Sequence, residues 1–315
     1  MTTSDLRQDT APAPPAVARG VEPFAHFLSA IGHRVLRGAG AYWYDASKGF
    51  LLAVPSHRLL TPDADELRGM LRRVGCAGVR FTAPLDGPGK LSYQIVCDER
   101  DYAIERLSAN TRSKVRRGLR RCEVRPLPFD VIAAEGREAD ANTVARQGRG
   151  SRHADTRWAR YWQAAAATPG MEGWGAFADG KLAAFLVTVM LEDRVEFLLA
   201  RSRDDCLDAY PNNALVYTVA HEMLVGRGVH QITFGLESLE PVGPLDQFKF
   251  GMGFRTAPLR QRIVFHPLAH AVLGRGAVRA MVHRWASGRG GRDAFWRKAD
   301  GLLRFAEQGG LGQVG

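Results

Sequence analysis

A charged loop followed by a helix start forms the part of the sequence best suited to hold an anion. The loop Arg201–Cys206 leads to a helix that opens with Tyr210, Pro211, Asn212, Asn213 and Ala214. Proline favours the first turn of a helix and asparagine favours its cap. Free N–H groups and the helix dipole point outward at such a start, so it is a ready anion site. Helix capping alone is the alternative, and the same N–H groups serve both roles.

A second cationic feature lies upstream, in residues 110–121. Apolar or small residues recur there at i, i+4, i+8 and i+11, namely Thr111, Val115, Leu119 and Cys122. This spacing predicts a helix with that stripe against the core and its cations turned outward, namely Arg112, Arg116, Arg117, Arg120 and Arg121. One interpretation is a solvated helix face. The other is an anion contact in which Arg116 and Arg120 bind substrate.

The elements around the first site predict a mixed α/β sheet. Leu182–Leu191 is almost wholly apolar, as expected for a strand covered on both faces, and Arg194–Ala200 returns as its hairpin partner. Gln231–Gly235 is a short strand, and Glu237 follows it. A carboxylate at the end of a central strand is a candidate general base, with a solvated loop acid as the alternative.

Several familiar motifs are excluded. The glycines at 310, 312 and 315 match the dinucleotide fingerprint in letters only, because no strand precedes them. His266 and His270 have no third ligand, so no metal site is predicted. There is no GxSxG elbow, Walker lysine or paired-carboxylate motif.

The order of elements, the helix start YPNNA and the stretch FKFGMGF at Phe248–Phe254 resemble the GNAT acyltransferase superfamily. The closest branch is the Fem-type aminoacyltransferases and the BioF2-like (acetyltransferase 6) proteins, which have a similar Arg/Lys-rich helix before their second half. The resemblance implies an α/β fold of tandem GNAT-like domains, with mixed central sheets flanked by helices and a C-terminal helical extension. The expected boundaries are a disordered tail at 1–20, a degenerate first half at 21–125, an acyltransferase domain at 126–266 and a basic extension at 267–315.

The same resemblance implies an N-acyltransferase that moves an acyl group from acyl-CoA to an amine by direct attack. The donor phosphates would lie on the α-helix start with Arg201 nearby, so the expected cofactor-binding residues are Arg201, Pro211, Asn212, Asn213 and Ala214. Lys249 matches a lysine that recurs in this branch near the donor site. By position alone, Glu237 would be the base, and Tyr210 or Tyr217 would donate a proton.

The donor is left open at this point, because the loop Arg201–Cys206 lacks the glycines of the usual GNAT signature. Some Fem-type relatives use aminoacyl-tRNA instead, which makes tRNA a possible partner. A non-catalytic protein that binds RNA or another anion is the third interpretation. The acceptor is equally open among amino sugars, peptidoglycan or lipid precursors, peptides and small amines.

Composition sets the remaining bounds. The 315 residues include 43 basic and 33 acidic side chains, for a net charge of +10, which favours an anionic partner. The four cysteines show no ligand or CxxC spacing, so they are expected to be reduced and the compartment to be the cytoplasm. Two amphipathic helices are expected at Leu268–Trp285 and Ala294–Glu307. They would pack on the second half or, less favourably, contact an acidic membrane.

Overall fold

A computed structural model describes residues 20–47, 49–147, 155–238, 243–273, 276–287 and 294–308. The expected disordered tail lies outside these ranges except for Gly20, and so do the glycines at 310–315.

The described residues form one sheet of eleven strands in the order β1-β2-β3-β4-β11-β5-β10-β9-β8-β7-β6. The strands are β1 (Val35–Gly38), β2 (Ala41–Ser47), β3 (Phe50–Val54), β4 (Gly78–Ala83), β5 (Lys90–Cys97), β6 (Glu123–Pro126), β7 (Met171–Ala178), β8 (Lys181–Leu191), β9 (Arg194–Ser202), β10 (Gln231–Leu236) and β11 (Arg255–Phe265). Mixed parallel and antiparallel pairing confirms the predicted α/β class.

The two expected halves exchange strands at the centre of this sheet. β11, the last strand of the second half, lies antiparallel between β4 and β5 of the first half. β5 in turn pairs antiparallel with β10 of the second half. The halves are therefore joined by backbone hydrogen bonds into a single sheet, with β5 and β11 side by side in its middle.

Eleven α-helices lie in the described part of the chain. They are α1 (Val21–Ala30), α2 (Ala64–Val74), α3 (Ala109–Arg121), α4 (Phe129–Glu135), α5 (Arg137–Arg146), α6 (Asp155–Ala166), α7 (Pro211–His221), α8 (Gly243–Gly251), α9 (Pro267–Leu273), α10 (Gly276–Ser287) and α11 (Ala294–Gln308). The predicted helix Leu268–Trp285 is described as two helices, α9 and α10.

The helices divide between two faces of the sheet. α2 packs on β3 and β4, and α3 and α7 pack on β5, β8 and β9, all on what we call the outer face. On the opposite, inner face, α1, α4 and α6 cover β8 and its neighbours, while α10 and α11 cover Ile263 and Phe265 of β11. The middle of the inner face, between these two groups of helices, carries polar side chains.

The inner face is concave. His57 and Arg58, in the loop after β3, both contact Glu192 in the turn between β8 and β9. The His57 Nε2 to Glu192 Oε2 distance is 2.9 Å. Because five strands separate β3 from β8 in the sheet order, this contact requires the sheet to curve over its inner face.

The buried stripe of α3 differs from the predicted one by a single residue. Thr111, Val115 and Cys122 are buried as predicted, but Leu119 is 41% exposed and Gly118 is buried in its place. A Cβ atom at Gly118 would lie 2.7 Å from the Tyr210 carbonyl oxygen and 3.0 Å from the Ala214 Cβ. α3 therefore packs backbone to backbone on the start of α7, which only glycine permits.

Candidate active site

A row of hydrogen-bonded side chains crosses the inner face from β4 to β10. Arg80 Nε donates to Gln261 Oε1 of β11 at 2.5 Å, and Gln261 Nε2 donates to Ser92 Oγ of β5 at 2.6 Å. Ser92 Oγ then donates to Glu237 Oε2 at 2.6 Å, just beyond β10. Burial lowers the pKa of Arg80 to about 10, while nearby Tyr44 and Glu237 oppose that shift.

Glu237, the predicted base, lies at the end of this row as an ion-paired group. Lys90 Nζ is 3.1 Å from Glu237 Oε1 and 3.2 Å from Glu237 Oε2. The backbone carbonyl oxygen of Glu237 accepts a hydrogen bond from Arg80. Both carboxylate oxygens are thus engaged. This arrangement supports a role in fastening β10 to β5, and the base role stays a prediction.

Gln94 lies on the same face as Ser92, two residues further along β5. Its side chain is 2% exposed, and its Nε2 has no hydrogen-bond partner among the described residues. Leaving such a donor unpaired costs about 1–3 kcal/mol, so a buried orphan calls for an explanation. It marks a place where a bound molecule could accept a hydrogen bond.

A second carboxylate, Glu196 of β9, was not predicted from the sequence. It is the last β9 residue that pairs with the parallel strand β10, opposite Thr233. Beyond it β9 continues to Ser202, whereas β10 turns away to pair Leu236 with Gln94 of β5. The two strands therefore part beside Glu196 and leave a gap between them.

The environment of Glu196 differs from that of Glu237. Its carboxylate has no hydrogen-bond or ion-pair partner in the described part of the chain, and burial raises its pKa to about 7. A partnerless acid whose pKa lies near neutrality is a typical proton acceptor. The signal in the sequence was one carboxylate inside an otherwise apolar strand, Val195–Ala200.

Tyr44 of β2 lies near Glu196 across the concave face. The pKa of Tyr44 is raised to about 12. Burial is the largest cause and the negative charge of Glu196 the second, while the positive charge of Arg80 lowers the pKa. The hydroxyl therefore stays protonated at neutral pH and is available as a hydrogen-bond donor.

Tyr44 also lines a cavity of about 680 Å³ on the same face. The cavity lies between α1, α6 and β9, and its lining combines aromatic, aliphatic and cationic side chains. The lining residues are Phe24, Phe27, Leu28, Ile31, Gly32, His33, Tyr44, Arg157, Arg160, Tyr161, Leu198, Leu199 and Arg201.

Arg201, predicted to hold donor phosphates, lies in this cavity and not at the start of α7. Its Nε donates to the Asp140 carboxylate of α5, and both side chains are nearly buried, at 11% and 10% exposed. A β-bulge near Leu198 shifts the register of β9, which aims Arg201 towards the inner face.

The start of α7 lies on the outer side of the sheet with few free donors. Tyr210 has left-handed backbone angles (φ 56°, ψ 42°), and its carbonyl oxygen accepts from the N–H groups of Asn213 and Ala214 at 3.1 and 3.2 Å. Pro211 has no N–H. The side chain of Asn212 donates to Ser202 Oγ at 2.9 Å, and that of Asn213 contacts Met252 Sδ at 3.5 Å.

The surroundings of this helix start offer few free donors to a pyrophosphate. The preceding 3₁₀ turn carries three carboxylates that already occupy the nearby arginines, in the pairs Asp204–Arg146, Asp205–Arg203 and Asp208–Arg121, and α3 covers the first turn of α7 at Gly118. Only the Asn212 N–H remains without a backbone acceptor, whereas phosphate cradles use several converging N–H groups.

The remaining predicted residues also lie on the outer side. Lys249 of α8 pairs with Asp246 at 2.8 Å, and its Nζ is 5.5 Å from the centre of the Phe234 ring. Arg116 is 3.7 Å from Glu105, and Arg120 has no ion-pair partner in the described ranges. Both arginines are exposed on the face of α3 that points away from α7.

The structure thus sorts the predicted site residues into two groups. Glu237 and Arg201 lie on the inner face, whereas Tyr210, the start of α7, Lys249 and the arginines of α3 lie outside it. The sheet lies between the two groups, and Glu196 lies on its inner face where β9 and β10 part.

Two negative findings apply to the described residues. They contain no group of three or more His, Cys, Asp or Glu side chains placed to hold a metal ion. None of their helices is both long and apolar enough to cross a membrane.

Comparison with solved structures identifies the fold of this chain. No family model matches the sequence, and no curated protein matches it significantly. Among solved structures, FemX superposes with a TM-score of 0.57 at 12% identity, covering 79% of this chain and 93% of FemX. The chain has a Fem-type, GNAT-like fold.

Two further structures share the Fem-type fold. The C-terminal domain of a putative lysylphosphatidylglycerol synthetase from Agrobacterium fabrum gives a TM-score of 0.55 at 13% identity, covering 87% of this chain and 97% of that domain. L-PGS from Bacillus licheniformis gives 0.50 at 13% identity, with 78% and 92% covered. The resemblance inferred from the helix start and the FKFGMGF stretch is therefore confirmed at the level of fold.

Proposed function

We propose that the protein transfers an aminoacyl group from aminoacyl-tRNA to an amine, with Glu196 as the general base. The observation that carries this proposal is the position of Glu196. Its carboxylate, which has no partner among the described residues, has a pKa raised to about 7 and lies where β9 and β10 part. The ideal base for an amine at neutral pH has a pKa near the working pH.

The reaction is a direct attack, because the described residues show no activated serine or cysteine nucleophile. The amine nitrogen attacks the ester carbonyl while Glu196 takes its proton, and a C–N bond forms. The C–O bond to the tRNA ribose then breaks, and the leaving oxygen takes a proton. Tyr44, protonated and coupled to Glu196, is the candidate donor of that proton. The unpaired Nε2 of Gln94 is the candidate donor to the developing oxyanion.

The start of α7 is the reason to prefer aminoacyl-tRNA over acyl-CoA. A CoA donor needs an anchor for its pyrophosphate. At the expected anchor, one backbone N–H is free among the described residues, and the nearby arginines are already paired with the three carboxylates of the 3₁₀ turn. The basic face of α3 offers a different anchor. Arg117 and Arg120 are exposed and have no ion-pair partner among the described residues. A polyanion such as tRNA matches a row of exposed arginines, since phosphate contacts need neither a pocket nor a helix start.

The fold supports the same reaction class. A domain named as part of a lysylphosphatidylglycerol synthetase shares the architecture across 97% of its length. The identity of 13% supports the arrangement of the chain and leaves the chemistry to the residues.

A transfer assay with two labelled donors tests the proposal. Wild-type protein and Glu196→Gln are incubated with radiolabelled aminoacyl-tRNA or with radiolabelled acetyl-CoA, each with a panel of primary amines. Label should move from aminoacyl-tRNA with wild-type protein and fall to background with the variant. Transfer from acetyl-CoA alone would favour the acyl-CoA alternative. tRNA binding without transfer from either donor would favour a non-catalytic RNA-binding role.

A further inference from the structure

We propose that the cavity between α1, α6 and β9 binds an amphiphile with one apolar chain or ring and one anionic group, and that an amine-bearing molecule of this class is the acceptor. The acceptor assignment rests on the proposed function. The binding site itself does not, because it follows from the lining of the cavity alone.

The aromatic and aliphatic side chains that line the cavity favour a ligand with an apolar part. Phe27 of α1 meets Tyr161 of α6 edge to face at 5.2 Å between ring centres. From the sheet side, Leu198 and Leu199 both line the cavity, although neighbouring strand residues normally alternate between faces. The β-bulge at this point of β9 explains the exception. A volume of about 680 Å³ lies within the range of roughly 300–1,000 Å³ typical of small-molecule sites.

The positive charge of the lining residues favours an anionic group on the ligand. Three arginines line the cavity, and none of the thirteen lining residues is acidic. Arg201 is neutralised by Asp140. Arg160 donates to the carbonyl oxygen of Ala30 at the end of α1, and Arg157 has no ion-pair partner within the described ranges. Uncompensated cations beside an apolar wall favour an anion and disfavour a cationic ligand such as a polyamine.

The two available arginines are placed to act together. Arg157 and Arg160 are three residues apart on α6, so their side chains project from the same helix face. Both are exposed, which places them at the mouth of the cavity while the aromatic rings line its interior. Guanidinium groups bind phosphate and carboxylate in a planar, two-pronged geometry.

The cavity leads to the candidate base. Tyr44 lines it, and the charge of Glu196 contributes to the raised pKa of Tyr44, so the two groups are close. Leu198 follows Glu196 by two residues on the same strand. An acceptor held by the arginines at the mouth would therefore extend the end that carries its amine towards Glu196.

Isothermal titration calorimetry with four small probes tests the ligand class. The probes are octyl phosphate, octan-1-ol, octylamine and inorganic phosphate, which separate the chain from the charge. We expect octyl phosphate to bind at least about tenfold more tightly than each of the others, a difference of about 1.4 kcal/mol. Equal affinity for octyl phosphate and octylamine, or no measurable binding of octyl phosphate, would overturn the proposal.

Variants then place the probe in this cavity. Arg157→Gln with Arg160→Gln should weaken octyl phosphate binding by about tenfold or more, since each charge-assisted hydrogen bond contributes about 1.5–3 kcal/mol. Leu199→Trp, which fills the cavity, should weaken both octyl phosphate and octan-1-ol. The matched control is Arg72→Gln with Arg73→Gln on α2, which removes the same charge from the outer face. Equal effects of the two double variants would overturn the site.

Two further measurements are needed. One distinguishes a lipid from a free metabolite as the source of the ligand, and the other tests ligand binding independently of the proposed transfer reaction. Co-sedimentation with phosphatidylcholine vesicles containing phosphatidic acid, lost in the α6 double variant, would identify a lipid as the source. Octyl phosphate binding without co-sedimentation would identify a free metabolite. Glu196→Gln should bind octyl phosphate like wild-type protein, so a failed transfer reaction leaves this test unaffected.

Discussion

Glu196 and Gly235 face each other across the point where β9 and β10 part. Oε1 of Glu196 lies 4.0 Å from the position that a Cβ atom at Gly235 would occupy. Gly235 has φ +89°, a conformation that glycine adopts without strain. The bend at Gly235 turns β10 away from β9, and the missing side chain leaves room beside the carboxylate. The half-buried acid and the open strand gap are thus parts of one local structure.

The pH dependence of the transfer rate should report the titration of Glu196. A base must be ionised, so the rate should rise through about pH 7 and then level off. Glu196→Gln should lower the rate by about 10²–10⁴-fold and remove this pH step. Rates measured from pH 5.5 to 8.5 under saturating donor check the prediction. A step that persists in Glu196→Gln would assign it to another group.

Protein stability should show the same titration with a definite sign. The pKa of Glu196 is raised from 4.5 in the unfolded chain to about 7, so the folded state binds more protons between these values. The free energy of unfolding therefore falls as pH rises through this window, by at most about 3 kcal/mol. Glu196→Gln should match wild-type stability near pH 4.5 and exceed it at pH 8. Urea denaturation at both values measures the difference.

Glu237→Gln is the matched control, and its effect should have the opposite sign. The substitution removes the charge that Lys90 and Ser92 contact, so it should destabilise the protein at pH 8 by about 1–3 kcal/mol. If both variants shifted stability in the same direction, the distinction between a partnerless and a paired carboxylate would be wrong.

Much of the second half could be predicted because its patterns are local. The apolar run Leu182–Leu191 became β8, and the returning strand Arg194–Ala200 became β9. By contrast, α5 gave no signal, since its buried residues include Asp140 and Thr143, which lack apolar periodicity. Charge pairing with Arg201 and hydrogen bonding to Ser202 hold these residues in place, and both partners are distant in sequence.

The candidate base illustrates why the site was harder to predict. Glu237 follows a predicted strand and looked accessible, but Lys90 and Ser92 reach it from β5, a pairing that only the strand exchange creates. Glu196 was part of a predicted strand, and nothing in the sequence said which face it occupies or that β10 departs beside it. Likewise, the close approach of Gly118 to Tyr210 covers the helix start that sequence alone predicted to be open.

Gln94→Leu should change stability and activity in opposite directions. Leucine has a similar size and removes a buried donor that has no partner among the described residues, so the free energy of unfolding should rise by about 1 kcal/mol. If Gln94 donates to the oxyanion, the rate should fall by about 10²–10³-fold with little change in donor affinity. Denaturation and single-turnover rates check the two parts. An unchanged rate would remove Gln94 from the mechanism and leave the orphan donor unexplained.

The basic face of α3 should determine how tRNA binding responds to salt. Arg116 and Arg120 are one turn apart and exposed, with only a 3.7 Å approach of Arg116 to Glu105 as competition. If each contacts a phosphate, Arg116→Gln with Arg120→Gln should reduce the slope of log affinity against log salt by about 2. Filter binding of tRNA between roughly 50 and 200 mM salt measures this slope. Arg72→Gln with Arg73→Gln on α2 should leave the slope unchanged. The same slope in both double variants would mean that the excess positive charge of the chain attracts tRNA diffusely and that α3 is a solvated helix face.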